Sequence, residues 1–478
     1  MPPGGEVRPE RQSWIWNQLI MSSNWKFDEI LEYLPNFVDA ATIREQFLSL
    51  FAPYDVNTWM LPLPLWAKRS YELSPPEAWE EIRLELQHFD PHRPVCIYLH
   101  IPFCTEKCDF CDSYSFKVGS HQEEIISAYL DQVCSELELW GGQGSLSQRP
   151  VSTVHLGGGT PNFVGPDGLR RIVDCCQSNF DISGQTEWAL EATVASLTDD
   201  TIAAMDELGF RRLHIGVQTL QEDVRMAIGR RRPAGEVLEK VRQTLDLGWI
   251  VSVDLICGLP DQGTESIVGD IQALAAAGVN GFSLYELLIY PQNARWAKQH
   301  GLVGRSHLPN YVSFQAGALK LEELGYEKNL FNHWADDRDE NIYFTFPTRN
   351  EDCLAVGTIA DGVFGDLHYR HPKYATYMRN SDSAFPGLEG GLRRTKYESL
   401  ITPFVTAVLS GWIPNEIVSQ FKGLAEEETE RLFAQWARMK LVEDRGLQGL
   451  RLTGNGSWFA GNMVSELADI YRQRITEV

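Results

Sequence analysis

The sequence predicts an α/β fold: a partial (β/α)6 TIM-like barrel, with an N-terminal helical extension before it and a C-terminal α+β, partly winged-helix-like domain after it. Three observations predict this. Apolar runs of strand length alternate six times with amphipathic stretches of helix length between residues 96 and 287, which is the pattern of parallel βα units. Residues able to do chemistry recur at or just after the C-terminal ends of those runs, where such folds build their sites. And 478 residues exceed one ordinary core, so a large α/β domain with smaller companions is expected.

Taken in order, residues 1–12 read as disordered. The text from 13 to about 90 is rich in Trp and broken by Pro53, Pro62, Pro64, Pro75 and Pro76 into short helical pieces. The extension 1–90 is expected to cap the open side of an incomplete barrel. The barrel itself spans 91–300. Its strands are "CIYLHI" (96–101), "STVHLG" (152–157), "WALEAT" (188–193), "RLHIGV" (212–217), "VSVDLI" (251–256) and "GFSLYEL" (281–287). Helical periodicity lies between them at 122–140, 166–178, 198–208, 235–247 and 264–277. From 301 to 392 the pattern fades into a loop-rich segment, expected to cover the substrate. From 393 to 478 it turns helical again, and "GLQGLRLTGNGSWFAGNMVSELADIY" reads as a small wing hairpin followed by a helix.

Composition narrows the function. With 43% hydrophobic and 22% charged residues the chain is globular, and its formal net charge is −23. That balance disfavours a nucleic-acid partner, which needs clustered cations; "GRRRP" (229–233) is too short to reverse it. There is no run of about 18 apolar residues, so no membrane span is expected. The start, "MPPGGEVRPERQSW", lacks the charged and apolar regions of a secretory signal. A cytoplasmic location follows, where cysteines serve metal or catalytic roles more often than disulfides.

The stretch "YLHIPFCTEKCDFCDSYSF" (98–116) sets Cys104, Cys108 and Cys111 as Cys-x3-Cys-x2-Cys directly after the first strand. Three thiolates in one tight loop suit three corners of a 4Fe–4S cube and leave one iron open to a small molecule. Zinc is the alternative. A structural zinc site wants four closed ligands, and here no second cysteine pair exists and His100 lies inside the strand. The other six cysteines (Cys96, Cys134, Cys175, Cys176, Cys257 and Cys353) sit in apolar text and read as small core residues.

With Phe110 just before the third cysteine, the loop resembles that of the radical S-adenosylmethionine (SAM) superfamily. "YLHIPFC", "GGGTP", "LHIGVQTL", "IGRRRP" and "VDLICGLP" resemble, in order and spacing, the oxygen-independent coproporphyrinogen III oxidase-like (HemN-like) subfamily over about 95–295. The resemblance implies a 4Fe–4S cluster on Cys104, Cys108 and Cys111, with SAM chelating its open iron. It places Tyr98, Phe110, Gly158, Gly159, Thr160, Glu191, Gln218, Arg230 and Asp254 around SAM. Phe110 would lie on the adenine, and Gly157–Thr160 would let the backbone approach the amino group. Arg230 suits the methionyl carboxylate, and Glu191 or Asp254 the ribose hydroxyls or the ammonium. One electron from the reduced cluster would cleave SAM to a 5′-deoxyadenosyl radical that abstracts hydrogen. Oxygen sensitivity and a flavodoxin- or ferredoxin-type electron donor follow from the same likeness.

Within the subfamily the likeness leans to the class C methyltransferase and heme-utilisation methyltransferase branch. Oxidases of this type carry a further cysteine two positions after the third, where this chain has Ser113. The implied reaction is methyl or methylene transfer, as in a C-methyltransferase or cyclopropanase. It would use two SAM molecules and act on an unsaturated carbon of a planar substrate: a tetrapyrrole, a quinone or a natural product. Ile256 and the "SLYELL" strand would hold the second SAM, and Tyr285 would act as proton or hydrogen donor. An oxidative decarboxylase and a heme-binding chaperone with little turnover are the alternatives. His333, His368 and His371, in polar text, are expected at the surface or, alternatively, as heme ligands or acid–base groups.

Overall fold

The computed structural model describes Tyr54, residues 64–67, and residues 69–475 apart from 89, 105, 106, 112, 120, 121, 350 and 381–384. The segment expected to be disordered, 1–12, and most of the expected helical extension lie outside the described residues.

The six predicted strands are all present: β1 (Val95–Ile101), β4 (Val151–Gly158), β5 (Glu187–Ala192), β6 (Arg212–Gln218), β7 (Ile250–Cys257) and β8 (Gly281–Glu286). Two-residue strands β2 (Phe103–Cys104) and β3 (Phe116–Lys117) pair with each other across the cysteine loop. The long strands read as apolar runs because both of their faces are covered, as parallel sheets require. The predicted helices follow them at Gln122–Gly141, Gly165–Asn179, Asp199–Glu207, Ala234–Asp246 and Thr264–Ala276. Each buries one stripe; Val237 and Val241, one turn apart, are fully buried under the fourth.

These strands stand side by side and parallel in chain order, from β1 through β8. The stretch 301–392 is not loop-rich. It holds the helix Leu308–Glu323 and strands β9 (Glu327–Leu330), β10 (His333–Ala335), β11 (Asp352–Val356), β12 (Asp361–Phe364), β13 (Leu367–Arg370) and β14 (Gly390–Arg393). β11 lies parallel beside β1 and adds a seventh parallel strand; β12–β14 continue antiparallel from it, and β10 and β9 extend the other edge beyond β8. Strands of three to five residues carry too few alternations to show a period in the sequence. The result is one twelve-stranded sheet with a parallel-dominated partial barrel at its centre.

Of the N-terminal extension, the described helix Pro75–His88 buries Ala78, Trp79, Ile82 and Leu86. It packs on the β14 flank, where a Cβ on Gly391 would come within 2.9 Å of Ala78 Cβ. At the other end, the helix Lys396–Leu409, β15 (Trp412–Pro414), helices Asn415–Leu424 and Glu426–Arg438, and the hairpin of β16 (Val442–Asp444) and β17 (Gly449–Leu452) form a helix–strand–helix–helix–wing order. Its core is aromatic, with Phe404 against Phe421 and Trp436. Tyr311 Oη donates to Asn455 Oδ1 at 2.5 Å, and Lys328 Nζ donates to the Leu452 and Thr453 carbonyls and to Ser457 Oγ, which joins this unit to the barrel. Among the described residues no helix is long and apolar enough to cross a membrane.

Candidate active site

The cysteine loop is folded back onto the end of β4. Gly159 N–H donates to Ile101 O and Thr160 N–H to Phe103 O, both at 2.8 Å. Ser113 Oγ donates to Gly158 O at 2.8 Å, and Lys107 Nζ donates to Ser115 O at 2.8 Å. Glycine is required here by close approach: a Cβ on Gly159 would lie 2.5 Å from Phe103 O and 3.0 Å from Cys104 Sγ. Gly158 has φ +113°, and its Cβ would meet the His100 ring at 2.7 Å.

Above this junction opens a cleft of about 390 Å³. Cys104, Cys108, Phe110, Cys111, Gly158, Gly159, Thr160, Glu191, Gln218, Arg230, Asp254, Ile256 and Tyr285 all line it, so the structure brings together every residue expected at the site except Gly157 and Tyr98. Tyr98 is turned away from the cleft. It points into the barrel interior, where its hydroxyl bonds His100 Nδ1 at 3.0 Å and its ring stacks on Tyr343 at 4.9 Å. A Cβ on Gly157 would sit 2.8 Å from Tyr98 Cε2, so the tyrosine packs behind the glycine loop. Side-chain direction within a strand set this, and spacing along the chain does not report it.

The acids are held by histidines that the sequence reading did not single out. His155 Nε2 donates to Glu191 Oε1 at 3.2 Å, and Gly158 N–H donates to Glu191 Oε2 at 3.1 Å. Burial alone would push the Glu191 carboxyl up, but the His155 bond, the nearby imidazoles and the Gly158 amide hold it below its ordinary value. His214 Nε2 donates to Asp254 Oδ1 at 2.6 Å. Burial opposes the charge on His214, yet the Asp254 carboxylate raises it above the usual histidine value. A signal was present for one of them: "HIG" on β6 places His214 two residues before the cleft-lining Gly216, and hence on the same strand face.

Gln218 owes its position to backbone. A register shift between Gly216 and Gln218 marks a bulge at the end of β6, and Gln218 has φ +71°. Such bulges re-aim a side chain next to a site, and a left-handed non-glycine residue is a strained conformation held by its surroundings. Gln218 Oε1 and Arg230 Nε are buried with no hydrogen-bond partner among the described residues. Arg230 lies 6.0 Å from the Phe110 ring centre, and Phe110 is fixed by its own carbonyl, which accepts from Asn293 Nδ2 at 3.0 Å. The opposite wall is apolar: Ile256 packs with Val224, Ile228, Leu259, Leu287 and Trp296, and Phe110 and Tyr285 lean on that cluster. Burial, with Asp254 beside it, pushes the Tyr285 phenol well above its ordinary value, so it is protonated near neutrality.

These features fit the implied cofactors. None of the nine cysteines is in a disulfide, and three of them share one cleft, as soft ligands for a cluster would. Among the described residues no three His, Cys, Asp or Glu side chains converge on one point as they would around a single ion. The unpartnered Gln218 and Arg230 atoms and the cradle that any Cβ would fill at Gly158 and Gly159 suit a polar ligand laid against the backbone.

The radical SAM superfamily model matches residues 98–274, the stretch that holds the cysteine loop and the ends of β4 to β7. This stretch is a radical SAM domain, and the proteins the chain is similar to are HemN-like. Its cofactors are a 4Fe–4S cluster and SAM. The chain is 23% identical over 407 residues to anaerobilin synthase of Escherichia coli O157:H7, covering 82% of this chain and 87% of that one. It is 25% identical over 396 residues to oxygen-independent coproporphyrinogen III oxidase of Salmonella typhimurium, covering 78% and 85%. The heme chaperone HemW of Bacillus subtilis is 26% identical over 274 residues, 56% of this chain and 70% of the relative. The fold matches the structure of coproporphyrinogen III oxidase (HemN) from Escherichia coli with a TM-score of 0.72 at 22% identity, over 84% of this chain and 97% of that one.

The three histidines of 301–392 do not lie in surface loops, and none lines the radical SAM cleft. His333, on β10, is fully buried; its Nε2 donates to Asp339 Oδ2 at 3.0 Å, and Asp339 also pairs with Arg212. His371 is fully buried with Nε2 donating to Glu136 Oε1 at 2.6 Å. His368 stacks on Trp66 at 4.5 Å, and burial beside Arg394 and Arg69 lowers it to about 3. Burial keeps His333 below its ordinary value, so it donates to Asp339 as a neutral imidazole, whereas the burial of His371 is outweighed by the Glu136 carboxylate, which raises it above its own; polar residues paired in the interior read in the sequence like a loop.

Proposed function

We propose that this radical SAM enzyme acts on a tetrapyrrole. The observation that carries the reading is the cleft itself, where three thiols and two unpartnered polar side chains face the apolar wall around Ile256. The cleft shares Leu287, Leu288 and Tyr290 with a second cavity of about 490 Å³, which leaves room for a large flat substrate beside the cofactor. The named relatives, an anaerobilin synthase, a coproporphyrinogen III oxidase and a heme chaperone, point to the same substrate class.

When bound, the cluster and SAM supply a carbon-centred 5′-deoxyadenosyl radical. The chain's own residues hold and shield the reactants. Arg230 offers a fork of donors for a carboxylate, and the glycine loop admits an amino group to backbone distance. Glu191 and Asp254, each fixed by a histidine, accept from hydroxyl or ammonium groups, and Gln218 completes the polar side. Phe110 and Ile256 exclude water from the reacting atoms. Tyr285, kept protonated by burial, supplies a proton or hydrogen at its phenol oxygen.

A second reading is methyl or methylene transfer with two SAM molecules, Ile256 and Tyr285 lining the place of the second. It is favoured by Ser113, which holds Gly158 O where oxidases of this type carry a cysteine. One experiment tests both readings: anaerobic incubation of reconstituted enzyme with SAM, a strong reductant and either coproporphyrinogen III or heme, with products resolved by mass spectrometry. A modified tetrapyrrole with 5′-deoxyadenosine supports the proposal, and S-adenosylhomocysteine alongside it selects the transfer reading. SAM cleavage that neither tetrapyrrole stimulates or consumes overturns the substrate assignment.

A further inference from the structure

Glu286 ends β8 at the rim of the cleft and has no part in the cofactor contacts above. It is 5% exposed. Its Oε1 accepts two hydrogen bonds, from His307 Nδ1 at 2.5 Å and from Asn310 Nδ2 at 3.0 Å. Its Oε2 is buried and accepts none among the described residues. The arrangement is built from below. Asn310 lies against the backbone of Gly258, which has φ +95° and whose Cβ would come within 2.5 Å of Asn310 Oδ1. The glycine of "CGLP", which the cofactor contacts do not explain, is thus what lets Asn310 reach Glu286.

Glu286 lines the cleft, while its partners His307 and Asn310 line the second cavity, which adjoins the cleft through Leu287, Leu288 and Tyr290. That cavity is lined by Leu259, Gln262, Leu302 and Arg305 as well as by His307 and Asn310. Gln262 Oε1 accepts the Gly258 and Leu259 amides at 3.0 and 3.2 Å, which orients the side chain and leaves Nε2, buried and without a partner, as its donor. The cleft therefore carries one unfilled acceptor near its border with the second cavity, and that cavity holds the donors Gln262 and Arg305. Buried polar atoms of this kind are rare in folded proteins and are satisfied when a ligand brings the complementary group.

We propose that Glu286 is a substrate-recognition residue: its Oε2 accepts a hydrogen bond from a ring N–H of a pyrrolic substrate, and a carboxylate side arm of the same molecule enters the second cavity toward Gln262 and Arg305. His307 and Asn310 are positioning residues that fix the carboxylate so that only one oxygen faces the ligand. This rests on the tetrapyrrole reading above. Replacement by glutamine is informative because His307 and Asn310 would hold the amide oxygen, turning the NH2 toward the cleft. A donor would then oppose a donor.

The test is anaerobic equilibrium dialysis of cluster-loaded protein against coproporphyrinogen III, whose pyrrole nitrogens all carry hydrogen, and against heme, whose nitrogens are all bound to iron. Porphyrinogen is quantified after oxidation, and SAM binding and iron content serve as controls. Glu286→Gln is expected to weaken coproporphyrinogen III by about tenfold or more, with heme and SAM affinities within about twofold of the wild type. Gln262→Leu is expected to weaken both tetrapyrroles, since both bear carboxylate arms, and to spare SAM. Unchanged coproporphyrinogen III binding by Glu286→Gln, or equal losses for both tetrapyrroles, overturns the Glu286 assignment alone. A wild-type protein that binds neither overturns the substrate reading as well.

Discussion

Replacing Gly159 by alanine probes the joint on which the site depends. Gly159 is not among the glycines with positive φ, so alanine meets no backbone penalty there and the effect is one of space. The new Cβ would lie 2.5 Å from Phe103 O, a backbone atom that cannot swing away, and 3.0 Å from Cys104 Sγ. Reaching even a 3.0 Å separation from the carbonyl requires the two loops to part by at least about 0.5 Å. The 2.8 Å bonds from Gly159 N–H to Ile101 O and from Thr160 N–H to Phe103 O span the same joint. Overpacking of this kind costs about 1–3 kcal/mol, and weakening one backbone bond adds about 0.5–1.5 kcal/mol. We expect Gly159→Ala to destabilise the apoprotein by about 1.5–4.5 kcal/mol and, after reconstitution, to weaken SAM binding by about tenfold or more, because Cys104 and the glycine cradle move together. The control is Gly119→Ala, at an exposed position with nothing within 4 Å, expected within about 0.5 kcal/mol of the wild type. The assays are denaturant unfolding of the apoprotein, iron content and SAM dialysis. If Gly159→Ala matches Gly119→Ala in all three, the close-packed joint does not position the cluster loop.

Other perturbations read other parts of the site. Arg230→Ala should weaken SAM binding by about ten- to a hundredfold, the loss of a charged hydrogen-bonding partner, while iron content stays at the wild-type level; unchanged affinity would remove Arg230 from the site. Asp339 is buried between Arg212, Ser252 and His333, so Asp339→Ala strands a buried arginine and should destabilise the fold by about 3–5 kcal/mol, measured by denaturant unfolding; a loss below about 1 kcal/mol would contradict that account. The His214–Asp254 pair sets a pH signature. Because the folded protein holds the His214 pKa above the unfolded value of about 6.5, its stabilisation is complete below that pH and is lost as pH rises through the folded value. The difference in thermal midpoint between wild type and His214→Asn should therefore shrink from pH 5.5 to pH 8.5, and a difference that grows with pH would refute the assignment.

What could be read in the chain was what depends on neighbours in sequence. The six central strands stood out because doubly covered parallel strands are continuous apolar runs, and the helices between them because an amphipathic stripe repeats every 3.6 residues. The cysteine loop is local by nature: three cysteines within eight positions stand out without any knowledge of the fold. The GGG turn and the strand-end acids were legible for the same reason, since barrel topology puts strand ends on one face. The flanks were not. β11 pairs with β1 across most of the chain's length, and nothing within Asp352–Val356 names that partner.

The sequence by itself therefore determined the fold class, the three-cysteine loop and the residue types gathered at the barrel mouth. Tertiary structure alone decided which way those residues face. It turned Tyr98 behind Gly157 and set His155 and His214 against Glu191 and Asp254. It aimed Gln218 through a bulge with φ +71°, and it left one oxygen of Glu286 buried without a partner among the described residues beside the cleft. The physical reason is common to all four. Spacing along a chain fixes position on an element, whereas side-chain direction and hydrogen-bond satisfaction arise only when elements distant in sequence are packed together.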